Sequence, residues 1–85
     1  MEIGKFYYSS LHDCYFAPNK QYTGDFIKGI QIIINEFYCL MNSSVNFNFN
    51  DINFEEITES EFYEKYKTAL AYFNLNMAYE NSTTV

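Results

Sequence analysis

The sequence predicts an α+β fold in which a small antiparallel sheet of about three strands packs against two α-helices. Apolar and polar residues alternate cleanly over residues 45–49, which is typical of a half-buried strand. A capping sequence followed by an apolar stripe predicts a helix that begins at residue 59. With 85 residues in all, we expect one compact domain over residues 1–80 and a flexible C-terminal tail over 81–85.

The first two elements are predicted to be strands. Residues 3–9 are rich in aromatic side chains, which favour strands, and residues 13–17 supply a return strand. The stretch 9–12 is the expected turn between them. Pro18 indicates a loop after the second strand.

Residues 25–42 are predicted to form the first helix. Their apolar side chains recur at steps of four, three, four and three, which is the spacing of a single helical stripe. The residues of the stripe are Phe26, Ile30, Ile33, Phe37 and Leu40. Three consecutive isoleucines at 32–34 favour a strand instead, and the length of the segment decides the prediction in favour of a helix.

The next element is the predicted strand at 45–49, in which Val45 and Phe47 alternate with Asn46 and Asn48. The alternation changes phase near residues 50–51, which indicates a bulge or turn. If this strand lies at a sheet edge, it offers unpaired amides and no charged side chain, so that a partner or a second copy could pair with it. The alternative is a central strand with a solvated asparagine face.

The last predicted element is a helix over 59–73. Thr58 and Glu61 stand at the spacing of a capping box, in which each side chain satisfies a backbone amide at the helix start. The expected core stripe consists of Phe62, Tyr66, Ala69 or Leu70, and Phe73.

Charge and composition narrow the classes of function. Eleven acids oppose five lysines, and there is no arginine, so direct binding to nucleic acid or to an anionic membrane is disfavoured. The N-terminal residues lack the apolar run of a signal peptide, and we expect a cytoplasmic protein with free thiols at Cys14 and Cys39. Aromatic residues make up 21% of the chain, more than so small an interior can hide, so some tyrosines must lie at the surface. These tyrosines either form an interface with a partner or only cover the edge of the core.

The acidic residues are concentrated between positions 51 and 64, where six of the eleven lie without any lysine. They are Asp51, Glu55, Glu56, Glu59, Glu61 and Glu64. Carboxylates near a helix start are stabilised by the helix dipole, which accounts for Glu59 and Glu61. A spaced row of carboxylates can also imitate nucleic-acid phosphates and occupy a basic groove. On that second interpretation, these six residues and Tyr63 form the predicted partner-binding site.

No pattern predicts catalysis, a cofactor or a metal. His12, Asp13 and Cys14 include the residue types of a catalytic triad, but neighbours on an extended chain point to opposite faces. A calcium loop that begins at Asp51 would place Glu56 at the position that requires glycine. His12, Cys14 and Cys39 offer three zinc ligands at scattered spacing, one fewer than a structural site uses. We expect a binding protein rather than an enzyme.

Small size, a composition rich in Phe, Tyr, Asn and Ile, and concentrated acidity resemble the small proteins that bacteriophages and mobile elements use against host defence. Anti-CRISPR proteins are one such group. The resemblance is one of size and composition, without a motif that would assign residue roles. It implies an inhibitor that docks on a basic surface of a nucleic-acid-handling protein by nucleic-acid mimicry. The alternative is a structural or assembly subunit that homo-oligomerises through surface aromatics, for example as a homodimer.

Overall fold

The computed structural model describes the backbone of residues 1–83 and the side chains of residues 1–73. Within this part, five strands and one helix follow one another along the chain. They are β1 (Phe6–Ser9), β2 (Cys14–Gln21), β3 (Phe26–Ile34), β4 (Cys39–Asn48), β5 (Glu55–Ile57) and α1 (Glu59–Thr83). The strands form one antiparallel sheet in the order β4-β3-β2-β1-β5.

The predicted architecture is therefore wrong in two respects. The sheet has five strands rather than about three, and the described residues contain one helix rather than two. The strands predicted over 3–9, 13–17 and 45–49 are confirmed, because they overlap β1, β2 and β4. The loop predicted at Pro18 is wrong, because Pro18 lies within β2. The predicted tail over 81–85 lies partly outside the described residues, and its mobility stays a prediction.

The segment predicted as the first helix forms β3, a turn and the start of β4. β3 pairs with β2 on one side and with β4 on the other. Because both faces of the sheet are covered, apolar residues occur on both faces of β3, and some of them fall at the spacing of a helical stripe. The turn depends on Asn35, whose side-chain oxygen accepts hydrogen bonds from the amides of Phe37 (2.9 Å) and Tyr38 (3.1 Å). Such side-chain capture of backbone amides is typical of asparagine turns.

Helix α1 covers one face of the sheet, which we call the helix-side face. Its buried residues Phe62 and Ala69 pack against Ala17 and Ile32 of the central strands. The predicted stripe along α1 is thus confirmed. Of the two hydrogen bonds of the predicted capping box, one is confirmed: the Thr58 hydroxyl accepts a hydrogen bond of 3.1 Å from the Glu61 amide.

The opposite face, the second face, is covered by residues 49–54, the crossing segment. Because β4 and β5 lie at opposite edges of the sheet, the chain must pass over one face to connect them. Phe54 of the crossing segment packs against Phe47, with ring centroids 4.8 Å apart, and against the fully buried Phe16 at 5.8 Å. The phase change in the sequence near residues 50–51 falls within this crossing.

The sheet is irregular around Gly29. The β3–β4 pairing shifts register between Gly29 and Gln31, and the β2–β3 pairing shifts between Pro18 and Lys20. A Cβ atom on Gly29 would lie 2.6 Å from the Cα of Pro18, so only glycine permits this approach of β2 to β3. On the second face, the ring of Phe47 in β4 lies 4.9 Å from that of Phe16 in β2, measured between centroids.

Candidate protein-binding site

Three of the six predicted acidic residues meet at one place. Strand β5 leads through Thr58 directly into α1, so that Glu56, Glu59 and Glu61 follow one another around the junction. They line an open groove of about 460 Å³ whose other wall is formed by Lys5 and Phe6. We call this the acidic groove.

Lys5 partly neutralises the acidic groove. Its ammonium lies 3.2 Å from the carboxylate of Glu2 and 3.5 Å from that of Glu56. The hydrogen bond and charge of Glu2, with a smaller contribution from Glu56, raise the pKa of Lys5. Ion pairs this exposed contribute little to stability. No ion pair of Glu59 or Glu61 occurs among the side chains of residues 1–73, so these two carboxylates carry the free charge of the groove.

A second groove lies beside the first and shares Lys5 and Phe6 with it. It has a volume of about 320 Å³, and Tyr63 and Tyr66 line it together with Phe6. The Tyr63 ring lies 5.7 Å from Phe6 and 6.2 Å from Tyr66 between centroids, and its side chain is 45% exposed. We call this the aromatic groove. It places the predicted Tyr63 beside the acidic residues.

Asp51 does not line the acidic groove, and its carboxylate is hydrogen-bonded within the protein. One of its carboxylate oxygens lies 3.0 Å from Nε2 of His12, and the other accepts hydrogen bonds of 2.9 Å from the backbone and side-chain amides of Asn53. The bond from the Asn53 backbone, with smaller contributions from His12 and the Asn53 side chain, lowers the pKa of Asp51 despite partial burial. His12 stacks on Phe54 at 5.3 Å. These contacts hold the crossing segment on the second face, so Asp51 has a structural role.

Glu55 and Glu64 also lie away from the acidic groove. Glu55 lines a different depression beside Leu11 and Ile52. Glu64 is exposed, and it lies about 200° around α1 from the buried Phe62, because successive helical residues are separated by about 100°. The structure therefore brings together Glu56, Glu59 and Glu61 but not the whole row of six acids.

The dipole interpretation and the binding interpretation apply to the same residues. Glu59 and Glu61 occupy the first turn of α1, where the helix dipole favours negative charge. Their side chains are nevertheless exposed and face the groove. The negative charge of Glu61 also acts on Tyr15 in β2. Burial is the main cause that raises the pKa of Tyr15, and the charge of Glu61 adds to it. The acidic groove is thus a local centre of negative potential.

The His12-Asp13-Cys14 sequence does not assemble a site. His12 pairs with Asp51, and the Asp13 carboxylate accepts a hydrogen bond of 3.2 Å from the side chain of Asn35. Cys14 is fully buried, and burial raises the pKa of its thiol. Cys39 packs near the core on the helix-side face, whereas Cys14 faces the other side. Within residues whose side chains are described, no group of three or more potential metal ligands occurs.

The exposed aromatic residues are dispersed over the surface. Four places carry them among the described side chains: the β2–β3 turn, the β3–β4 turn, the start of the crossing segment and α1. The residues are Tyr22 and Phe26, Phe37 and Tyr38, Phe49, and Tyr63 and Tyr72. Homo-oligomerisation through surface aromatics therefore stays a prediction.

Comparison of the chain with protein-family models, with curated proteins and with solved structures found no match. In the part of the chain that the structure describes, no helix is both long and apolar enough to cross a membrane. The function is therefore inferred from the two grooves and their charges.

Proposed function

We propose that this chain is a small protein-binding module that docks the acidic groove onto a basic surface of a nucleic-acid-handling protein and so inhibits it. The observation that carries the proposal is the convergence of Glu56, Glu59 and Glu61 on one groove that adjoins exposed aromatic rings. Cytoplasmic location, with Cys14 and Cys39 as free thiols, belongs to the same proposal.

The two grooves together suit a lysine or arginine side chain of a partner. The carboxylates of Glu59 and Glu61 attract the charged end of such a side chain, while Phe6 and Tyr63 offer apolar surface to its methylene groups and π faces to the cation. Concentrated negative potential also accelerates encounter with a basic surface. A nucleic acid would be repelled by the same charges.

Mimicry of nucleic acid in this proposal rests on the free carboxylates at the groove and not on a continuous row. Asp51 is engaged with His12, and Glu56 is partly neutralised by Lys5. Glu59 and Glu61 are left to compete with phosphates for a basic site. A nucleic acid bound to the target should therefore compete with this chain.

The test uses an arginine- and lysine-rich peptide as the probe, with affinity measured by calorimetry at low salt. Replacing Glu59 and Glu61 with Gln should weaken binding about tenfold, since each exposed ion pair contributes up to about 0.7 kcal/mol. Raising the salt concentration should weaken binding of the unmodified chain. Double-stranded DNA, which competes for the basic peptide, should reduce the fraction bound to the chain.

The matched control replaces Asp25 and Glu36 with Asn and Gln, which changes the net charge equally at exposed positions outside both grooves. We expect this variant to bind within about twofold of the unmodified chain at moderate salt. Equal losses in the two double variants would mean that the probe senses net charge only. That result would contradict the proposal.

A further inference from the structure

The aromatic groove is an apolar pocket that the protein leaves unfilled. Its floor is formed by the buried side chains of Ala17 and Phe62 and by the half-buried Ile30, which lies directly opposite Ala17 in the β2–β3 pairing. Small residues at Gly4 and Ala17 leave the space open. An enclosed apolar cavity of roughly 150 Å³ holds a benzene molecule. A groove of about 320 Å³ can therefore take one leucine or phenylalanine side chain.

The aromatic groove and the acidic groove differ in charge although they share a wall. Lys5 and Phe6 line both grooves. Among the described residues that line the aromatic groove, Lys5 alone is charged, and its ammonium is paired with the carboxylates of Glu2 and Glu56. An apolar pocket thus adjoins a pocket with free negative charge, and Phe6 borders both of them.

We propose that the partner presents an extended segment in which a lysine or arginine stands two residues from a leucine or phenylalanine, and that these two side chains enter the acidic groove and the aromatic groove together. Because the grooves share Phe6, their occupants must be close in space. Side chains two residues apart in an extended chain point to the same side and lie about 7 Å apart. The inference rests on the proposed function, and it adds the sequence class of the segment that this protein recognises.

Each half of such a segment needs the other half. Exposed ion pairs contribute little affinity by themselves, whereas apolar area removed from water contributes in proportion to its size and is not screened by salt. A partner that used only the aromatic groove would bring apolar surface against Glu59 and Glu61 and would leave their carboxylates without a counter-charge. Charge complementarity therefore selects a segment that carries both side chains.

Charge also disfavours a second copy of this chain as the occupant. Among the described side chains, the most exposed large apolar ones are Ile52, which is 93% exposed, and Phe37, which is 83% exposed. Asp51 precedes the first and Glu36 precedes the second. Inserting either side chain into the aromatic groove would bring another carboxylate toward the acidic groove, and like charges repel. A basic segment of a different protein meets no such opposition.

The experiment measures the affinity of short capped peptides for the full chain by calorimetry. The first peptide carries an arginine and, two residues later, a leucine in a serine-rich background. The second has alanine in place of the leucine, and the third has the leucine moved to six residues from the arginine. The first should bind about tenfold more tightly than the second, and this gain should persist when salt weakens the binding of both. The third should bind within about threefold of the second, because its leucine is too far from the arginine to reach the aromatic groove.

Two variants at exposed positions that line the aromatic groove test where the leucine binds. Tyr63→Ala removes one wall, and Asn19→Trp fills the groove with a large side chain. Each should reduce the gain from leucine to about twofold or less, while the alanine peptide still binds. Tyr72→Ala is the matched control, because Tyr72 is 43% exposed on the same helix, against 45% for Tyr63, and lies outside both grooves. It should keep the full gain.

A gain from leucine below about twofold in the unmodified chain would overturn the inference, and so would an equal gain in all three variants. Self-association of the chain that Tyr63→Ala abolishes would make a second copy the occupant and would overturn it too. The Glu59→Gln and Glu61→Gln changes separate this inference from the proposed function. If they weaken binding of the alanine peptide but leucine adds nothing, only the inference fails. If leucine adds its gain but these changes have no effect, the proposed function fails and the paired recognition fails with it.

Discussion

Asp51 is the residue that connects the crossing segment to the rest of the molecule. It receives two hydrogen bonds from Asn53, within the segment, and pairs with His12 in the β1–β2 turn. The lowered pKa of Asp51 means that its charged carboxylate is more stable in the folded state than in the unfolded chain. This contribution is complete above the ordinary aspartate value of 3.8 and disappears as the pH falls through the lower folded-state value.

Asp51→Asn should accordingly lower the free energy of unfolding by about 1 kcal/mol at neutral pH, because it removes a charge-assisted hydrogen bond. The difference between the variant and the unmodified chain should vanish in acid. Urea denaturation of both proteins at a series of pH values measures this difference, and Asp25→Asn, at an exposed position, is the control. A cost of Asp51→Asn that is the same in acid as at neutral pH would contradict the electrostatic role.

At the scale of the elements, the close approach of β3 to β2 depends on Gly29, a residue without a side chain. Gly29→Ala would place a Cβ 2.6 Å from Pro18 Cα and 2.7 Å from the carbonyl carbon of Ala17, both backbone atoms that cannot rotate away. We expect the substitution to cost about 3 kcal/mol or more in the free energy of unfolding. Thermal unfolding should show it as a lower midpoint. Gly24→Ala, where a Cβ meets no neighbour but φ is +59°, should cost only about 1 kcal/mol, and equal costs at the two glycines would contradict this account.

Some elements of the fold can be predicted from the sequence and others cannot. Local signals gave β1, β2, the strand at 45–49 and the start of α1, because alternation and the capping of Thr58 act over a few residues. The predicted helix at 25–42 failed because a strand covered on both faces has no alternation, and the turn at Asn35 depends on side-chain hydrogen bonds that the pattern of apolar residues does not reveal. Gly29 and the five isoleucines of that segment, three of them consecutive at 32–34, were the available evidence for a strand.

The candidate site was predictable to a similar degree. The concentration of acids marked Glu56, Glu59 and Glu61, which the structure joins in the acidic groove. Asp51 was grouped with them although its role is structural, because its partner His12 is 39 residues distant in the sequence. The aromatic groove brings Phe6 against Tyr63, and this pairing arises only when β1 packs beneath α1.

At the scale of the whole molecule, the topology combines strand pairs that are close in the sequence with one pair that is distant in it. β1 to β4 are consecutive strands joined as hairpins, so each can pair with its neighbour in the sequence. β5 must instead pair with β1, where Phe6 lies opposite Ile57, after the crossing segment has passed over the second face. Closing so long a loop before its contacts form is unfavourable, so we expect the hairpins to form first.

Two substitutions test this order. Ile32 is fully buried in β3, and Ile32→Val should slow folding, with a φ-value of about 0.5–0.8, because its contacts form with the hairpins. Phe54 belongs to the crossing segment, and Phe54→Ala should mainly accelerate unfolding, with a φ-value of about 0–0.3. Both changes should cost enough free energy for a reliable ratio, about 1 kcal/mol for the isoleucine and roughly 3 kcal/mol for the phenylalanine. Stopped-flow measurement of folding and unfolding rates against urea concentration gives the two φ-values. If Phe54→Ala slowed folding in proportion to its loss of stability, the crossing would already be formed in the transition state, and the second face would close together with the hairpins rather than after them.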